Sequence, residues 1–280
     1  MADAIFQIKP SIYGIGIDLR AVWQRLSGAP ENPVEQVAVR FIELFEAHGV
    51  AVTQIPRLIP DLTLAQLASP KDLLPALTGP VLDAACALFG TRREWLEGQG
   101  DEIYACGYCY KSPQRFFAEL RQLSSPDTIA PVRAVTTVNR LDYRSRAVQR
   151  IELVMVETAA WIGDEAIERF RVFSDGWDWR YPECRIQLKA MIRTYGEPVP
   201  LYTVTPKEIE AWHAGRVVPR SLMRGALCTS PSLEDYCMSA SENAQSKEVD
   251  ELEAVARYQN ERNISRAMML DDKMSFARRD

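Results

Sequence analysis

Between Asn32 and Gly98, helix start and stop signals follow one another so closely that the stretch reads as a run of short helices. Asn32 stands as an N-cap, Pro33 takes the first helical position, and Glu35 is spaced to close a capping box. Val34, Val37, Ala38, Phe41, Ile42 and Phe45 then recur at helical spacing until Gly49 ends the segment. Thr78 to Pro80 opens another amphipathic helix, with Val81, Leu82, Ala85, Leu88 and Phe89 on one face and Gly90 as its stop. Thr91 and Glu94 set up a further capping box at once, so the turn between these two helices must be tight.

The segment LDAACALFGTRREWLEG resembles the closing helices of the Xre/Cro-C1 type of helix-turn-helix domain. FIELFEAHGV is similar to that family's first helix, and TQIPRLIP and LTLAQLAS fall where its second and recognition helices belong. The resemblance covers about a quarter of the chain. It implies a DNA-binding transcriptional regulator that reads paired half-sites of double-stranded DNA as a homodimer. Within it, Thr53 caps a short helix carrying Pro56 in its first turn, and Thr63 with Gln66 caps the recognition helix, cut short near Ser69-Pro70. Thr63 and Gln66 would reach base edges, and Arg57 and Lys71 would contact phosphates, with Thr53 and Gln54 beside them. Charge opposes this reading: Glu31 to Glu102 holds five basic residues against eleven acidic ones, a local net of −6. Phosphate neutralisation supplies most non-specific affinity for DNA, so a helical bundle that binds protein is the alternative.

A chain of 280 residues, 47% hydrophobic and 25% charged, has the composition of an ordinary globular protein of two domains. No apolar run is long enough to span a bilayer and the N-terminus lacks the layout of a secretory signal, which predicts a cytoplasmic protein with no membrane partner. Its six cysteines are then expected as reduced thiols. A net charge of −5 gives no global attraction to nucleic acid.

The predicted organisation is α+β: an all-helical, helix-turn-helix-like domain followed by a small α+β domain with an antiparallel sheet. Residues 1–30 read as a strand (Ile12 to Ile17) and a helix started by Asp18, and residues 31–123 as the helical domain. Ser124 to Pro131 is the linker, and residues 132–228 form the effector or oligomerisation domain. Its expected strands are Val132–Val138, Ile151–Glu157, Ala166–Phe173 and Val199–Val204, with Gly163-Asp164 as a turn. Arg185–Tyr195 fits a helix or a strand, and Lys207–His213 a short helix. Residues 229–280 read as a Ser-rich acidic linker, a charged helix carrying Val249, Leu252 and Ala256, and a disordered end.

Several groups are candidates for chemistry. The loop from Ser174 to Arg185 is dense in aromatic and charged side chains, and Trp177, Trp179, Arg180 and Arg185 are the expected effector-binding residues for a small molecule or protein. A basic run, Arg133, Arg140, Arg144, Arg146 and Arg150, suits an anion or an acidic partner, or else a solvated face. Cys106 and Cys109 can be half of a zinc site, a dithiol switch or two structural thiols. No nucleophile elbow, phosphate loop or metal motif is present, so neither an enzyme nor a cofactor is expected, and with His48 and His213 alone general bases are scarce.

Overall fold

The first helix, α1 (Pro33–Ala47), begins where the capping signal places it, with the Asn32 side chain accepting the Val34 N–H at 2.9 Å. Pro residues in the first turn mark the starts of α2 (Ile55–Leu58), α3 (Pro70–Leu73), α4 (Gly79–Phe89) and α6 (Pro113–Leu123), where a missing N–H costs nothing. Gly90, at φ +70°, closes α4 in the left-handed conformation that glycine adopts without strain. The computed structural model describes residues 32–125, 128–223, 227–238 and 246–269. The strand at Ile12 to Ile17, the helix started by Asp18 and the segment from Met274 to Asp280 lie outside the described residues.

Three expectations in the helical region are corrected, the first being the cap of α2, which is Gln54 and not Thr53. Leu62–Ser69, the expected recognition helix, is a chain of turns closed by i→i+3 bonds from Leu67 N–H to Leu64 and from Ala68 N–H to Ala65. Pro60 and Pro70 bracket it, and the Gln66 side chain takes the Thr63 N–H at 2.8 Å and the Thr63 hydroxyl at 2.9 Å, so no α-turn starts there. At α5 (Arg93–Leu96) the cap residue is Arg92, one position beyond the Thr91 expected.

Beyond α6 the chain makes β1 (Val132–Thr136), β2 (Arg150–Ile162), β3 (Glu165–Val172) and the short β4 (Trp177–Asp178). Then follow α7 (Pro182–Tyr195), β5 (Pro200–Thr203), α8 (Pro206–His213), α9 (Pro219–Leu222), β6 (Leu227–Ser232), α10 (Leu233–Met238) and α11 (Ser246–Glu261). The architecture is mixed α+β, and the sheet order is β3-β2-β1-β5-β6, with β4 paired to the start of β2. The sheet is mixed, which corrects the expected antiparallel one: β5 returns through α7 and pairs parallel to β1, Ala134 beside Leu201. The linker expected from Thr229 is also corrected. β6 pairs with β5 and α10 follows at once, its Leu233 and Cys237 fully buried.

The sheet is covered on both faces, as the unbroken burial of Ile151 to Val156 requires. Ile151, Leu153 and Met155 pack against Phe116, Phe117 and Leu120 of α6, Leu188 and Met191 of α7, and Val255 of α11. On the other face, Val154 and Val156 join Val135, Phe170 and Val172 under Ile209 and Trp212 of α8 and Leu222 of α9. The helices from α1 to α5 close around the far end of the β2–β3 hairpin, whose Ile162 and Ile167 enter the same core as Phe41, Phe45 and Phe89.

Candidate functional site

The residues expected to touch DNA lie on short surface segments. Thr53, Arg57, Thr63 and Lys71 are exposed, while Gln54 and Gln66 spend their side-chain oxygens on the N–H groups of Ala51 and Thr63. The region's other cations are tied inward. Arg40 donates to the carbonyls of Trp95 and Gly100, Arg92 pairs with Glu102 at 2.6 Å, and Arg93 pairs with Asp83 and Glu97. The same region buries His48 completely. Its Nδ1 lies 2.7 Å from the Leu44 carbonyl, its Nε2 3.0 Å from the Tyr104 hydroxyl, and its ring stacks on Phe89. Burial pushes its pKa down to about 4, so the ring is neutral, giving its Nδ1 proton to Leu44 and accepting from Tyr104.

The loop from Ser174 to Arg185 is divided between core and cleft. Trp177 is fully buried, its ring edge-on to Tyr110 at 5.1 Å and its Nε1 donating to Asp175 at 3.1 Å. Arg180 pairs with Asp178 at 3.1 Å and donates to the Arg146 carbonyl. Trp179 lines a cleft of about 650 Å³ between the segment Arg140–Arg144, α7, α10 and α11, and Arg185 lies buried behind it, donating to the Trp179 carbonyl at 2.8 Å. Tyr143, Trp179 and Tyr236 supply its flat surfaces, and Arg140, Arg144 and Lys189 its positive charge. Against these stand Asp142 and Glu251. Glu251 is already engaged: Arg185 donates to it at 2.9 Å and Lys189 at 2.7 Å, and both contacts are shielded from water. Those two hydrogen-bonded cations hold its carboxyl below the usual range against the opposing effect of burial. Arg140 forms no ion pair among the described residues. Tyr143, Lys189, Tyr236 and Glu251 escaped sequence reasoning because four separate segments deliver them. The available signal was the i,i+4 spacing of Arg185 and Lys189, which puts two cations on one face of α7.

Of the basic run, Arg133 pairs with Glu168 and Arg150 with Glu210, while Arg140 and Arg144 reach the cleft. The thiols give no sign of a switch. Cys106 is half-buried with its pKa pushed up to about 11, Cys109 is fully buried and pushed higher still, and both shifts come first from burial. Neither is a ready thiolate at neutral pH. Among the described residues no group of three or more His, Cys, Asp or Glu is placed to hold a metal ion, and no single helix is long and apolar enough to cross a membrane.

A second cluster sits where β2 meets α8. Glu152 interrupts the apolar run of β2 and is fully buried. Its carboxylate accepts the N–H groups of Asp175 at 2.9 Å and Gly176 at 3.1 Å, and faces His213 Nδ1 at 2.9 Å. Burial pushes this carboxyl's pKa up, opposed by the Gly176 N–H and by His213. Gly176 presents that N–H from φ +63°, a conformation a side chain would strain. His213 ends α8, half-exposed, with Ser174 Oγ also 3.2 Å from Nδ1. A lone acid inside an apolar strand was the clue the sequence offered to this cluster.

Comparison with protein-family models, with curated proteins and with solved structures gives no match.

Proposed function

We propose that this chain is a binding protein for a small anionic ligand that carries a flat ring, taken up in the cleft beneath Arg140–Arg144. The observation that carries the reading is the convergence of three aromatic side chains and three cations on one cavity in a chain of net charge −5. The volume of about 650 Å³ falls inside the range of roughly 300–1,000 Å³ usual for small-molecule pockets. The ring of Tyr236 favours a planar group, and a carboxylate or phosphate suits Arg140 at the rim, while the Tyr143 ring already carries the guanidinium groups of Arg144 and Arg185. Titration with 2-naphthoate, followed by calorimetry, tests this, with uncharged naphthalene as the control. Saturable binding of the acid, weakened about tenfold or more in Arg140→Ala, supports the reading. Equal binding to wild type and Arg140→Ala, or none to wild type, overturns it.

The regulator function implied by the helix-turn-helix resemblance ranks below this. It keeps Arg57 and Lys71 as exposed cations but lacks the helix that would carry Thr63 and Gln66 into a groove. Exposed Val34 and Leu64 in a locally acidic surface favour contact with protein over contact with DNA. Affinity for duplex DNA that falls steeply with salt, and is lost in Arg57→Ala, would reverse that ranking.

A further inference from the structure

The cluster on the opposite face of the sheet has a geometry that ligand binding in the cleft does not use. Taking a carboxylate out of water is expensive unless it is fully bonded, and Glu152 is fully buried in the central strand. Two backbone N–H groups from one loop and one ring nitrogen from α8 meet its oxygens, and these bonds oppose the upward push that burial gives its pKa. The hydrogen bond from His213 Nδ1–H to this carboxylate sets both the tautomer and the ring orientation. The lone pair is thereby left on Nε2, which has no hydrogen-bond partner among the described residues and belongs to a side chain 42% exposed. Ser174 Oγ lies beside Nδ1, the nitrogen facing Glu152, so the serine is not placed to hand a proton to Nε2 and is not the nucleophile. The remaining neighbours are fixed: Asp175 is held by the N–H groups of Cys109 and Tyr110, Arg150 and Glu210 pair with each other one helical turn away, and the Cys106 thiol is protonated.

We propose that Glu152 and His213 form a hydrolytic centre in which the free Nε2 atom of His213 attacks small carboxylic esters, with Glu152 as the positioning residue behind it. The Nε2 lone pair forms a bond to the acyl carbon, and the ester C–O bond breaks with its electron pair leaving on the alcohol oxygen, which takes up one proton from solvent. The acylated ring is a cation whose Nδ1–H faces the Glu152 carboxylate, the group best placed to stabilise it. Water then adds to the acyl carbon, the C–N bond breaks with its pair returning to Nε2, and its surplus proton passes to solvent. One ester and one water become one acid and one alcohol, and the ring is restored. The chain contains two histidines, and His48 has both ring nitrogens bonded in the core, so imidazole chemistry at the surface reports on His213 alone.

The test uses the full chain with p-nitrophenyl acetate as probe, in wild type, His213→Gln and Glu152→Gln, together with ¹⁵N spectra of the imidazole rings. His213→Gln replaces a half-exposed side chain with an amide that can still donate to Glu152, so the fold is retained. Expected are a p-nitrophenolate release that His213→Gln abolishes down to the background of the other nucleophiles, and a rate about tenfold lower in Glu152→Gln. The ring spectrum should show the His213 proton on Nδ1 in wild type and a tautomer mixture in Glu152→Gln. Equal rates for wild type and His213→Gln overturn the proposal whatever Glu152→Gln does. A Glu152→Gln protein with the wild-type rate and ring spectrum removes Glu152 from it.

Discussion

The helical region and the sheet region each hold one of the two histidines, and they treat it in opposite ways. His48 is sealed among α1, α4 and Tyr104 with both nitrogens answered by the protein. His213 is anchored through one nitrogen to a buried carboxylate and keeps the other at the surface. The first arrangement spends the residue on packing, whereas the second orients it. The same contrast runs through the cations. In the helical region Arg40, Arg92 and Arg93 stitch loops to helices, while at the rim of the cleft Arg140 forms no ion pair among the described residues. What separates an architectural polar residue from an available one is therefore how many of its bonding positions the fold itself fills.

Four measurements would break or sharpen this contrast. The largest effect is expected from Trp177→Ala, which empties the sheet core beneath Tyr110 and strands Asp175 without its indole donor. The loss should be about 4 kcal/mol by denaturant unfolding. Since Ile162 and Ile167 belong to the helical core, both regions should melt in one transition; two separate transitions would split them into independent units. Next comes pH. His48 is depressed from 6.5 to about 4 by burial, so between those values the unfolded chain binds a proton that the native one refuses. Its contribution is complete above pH 6.5 and disappears as pH falls toward 4, amounting to about 3 kcal/mol. Unfolding midpoints at pH 7 and 4.5 should diverge in wild type and converge in His48→Gln. A persistent divergence in that variant would assign the slope elsewhere.

Smaller is Glu251→Gln, which leaves Arg185 and Lys189 short of a shielded partner. A cost of about 2 kcal/mol is expected, with α11 opening to protease before the rest of the chain. Cleavage of α11 at the wild-type rate would show that its apolar contacts suffice. The smallest is Thr205→Ala at the head of α8, where Thr205 and Glu208 form a capping box, at about 1 kcal/mol. It should broaden the ring signals of His213 and leave those of His48 sharp; equal effects on both would dissolve the contrast.

Much of the fold was legible where the signals are local. Asn32-Pro33, Ser69-Pro70 and Ser112-Pro113 all start helices, Gly90 ends one, Gly163-Asp164 turns the hairpin between β2 and β3, and the helix expected from Lys207 begins one residue earlier at Pro206. Failures came where a local signal has two physical outcomes. Thr63 and Gln66 bond to each other as a capping pair would, yet the nine residues between Pro60 and Pro70 close into turns. The Ser-rich stretch from Thr229 looked like linker because its polarity hid Leu233 and Cys237, each packed into the sheet region. Of the cleft, Trp179 was readable from an aromatic and basic loop, and Arg185 from the same loop proved to be buried behind it. Glu152 and His213 were not readable, because only the pairing of β2 with the loop at Gly176 brings them within reach.

The parallel pairing of β5 with β1 has a consequence for how the chain assembles. The β2–β3 hairpin closes through a two-residue turn and can form early, but Ala134 meets Leu201 only after that hairpin, β4 and α7 have been laid down between them. Closing so long a loop costs entropy before any contact repays it, which makes this seam a late step of folding. Until it zips, one edge of β1 stands bare, and a nascent chain halted before Pro200 would present that edge to the next strand it meets.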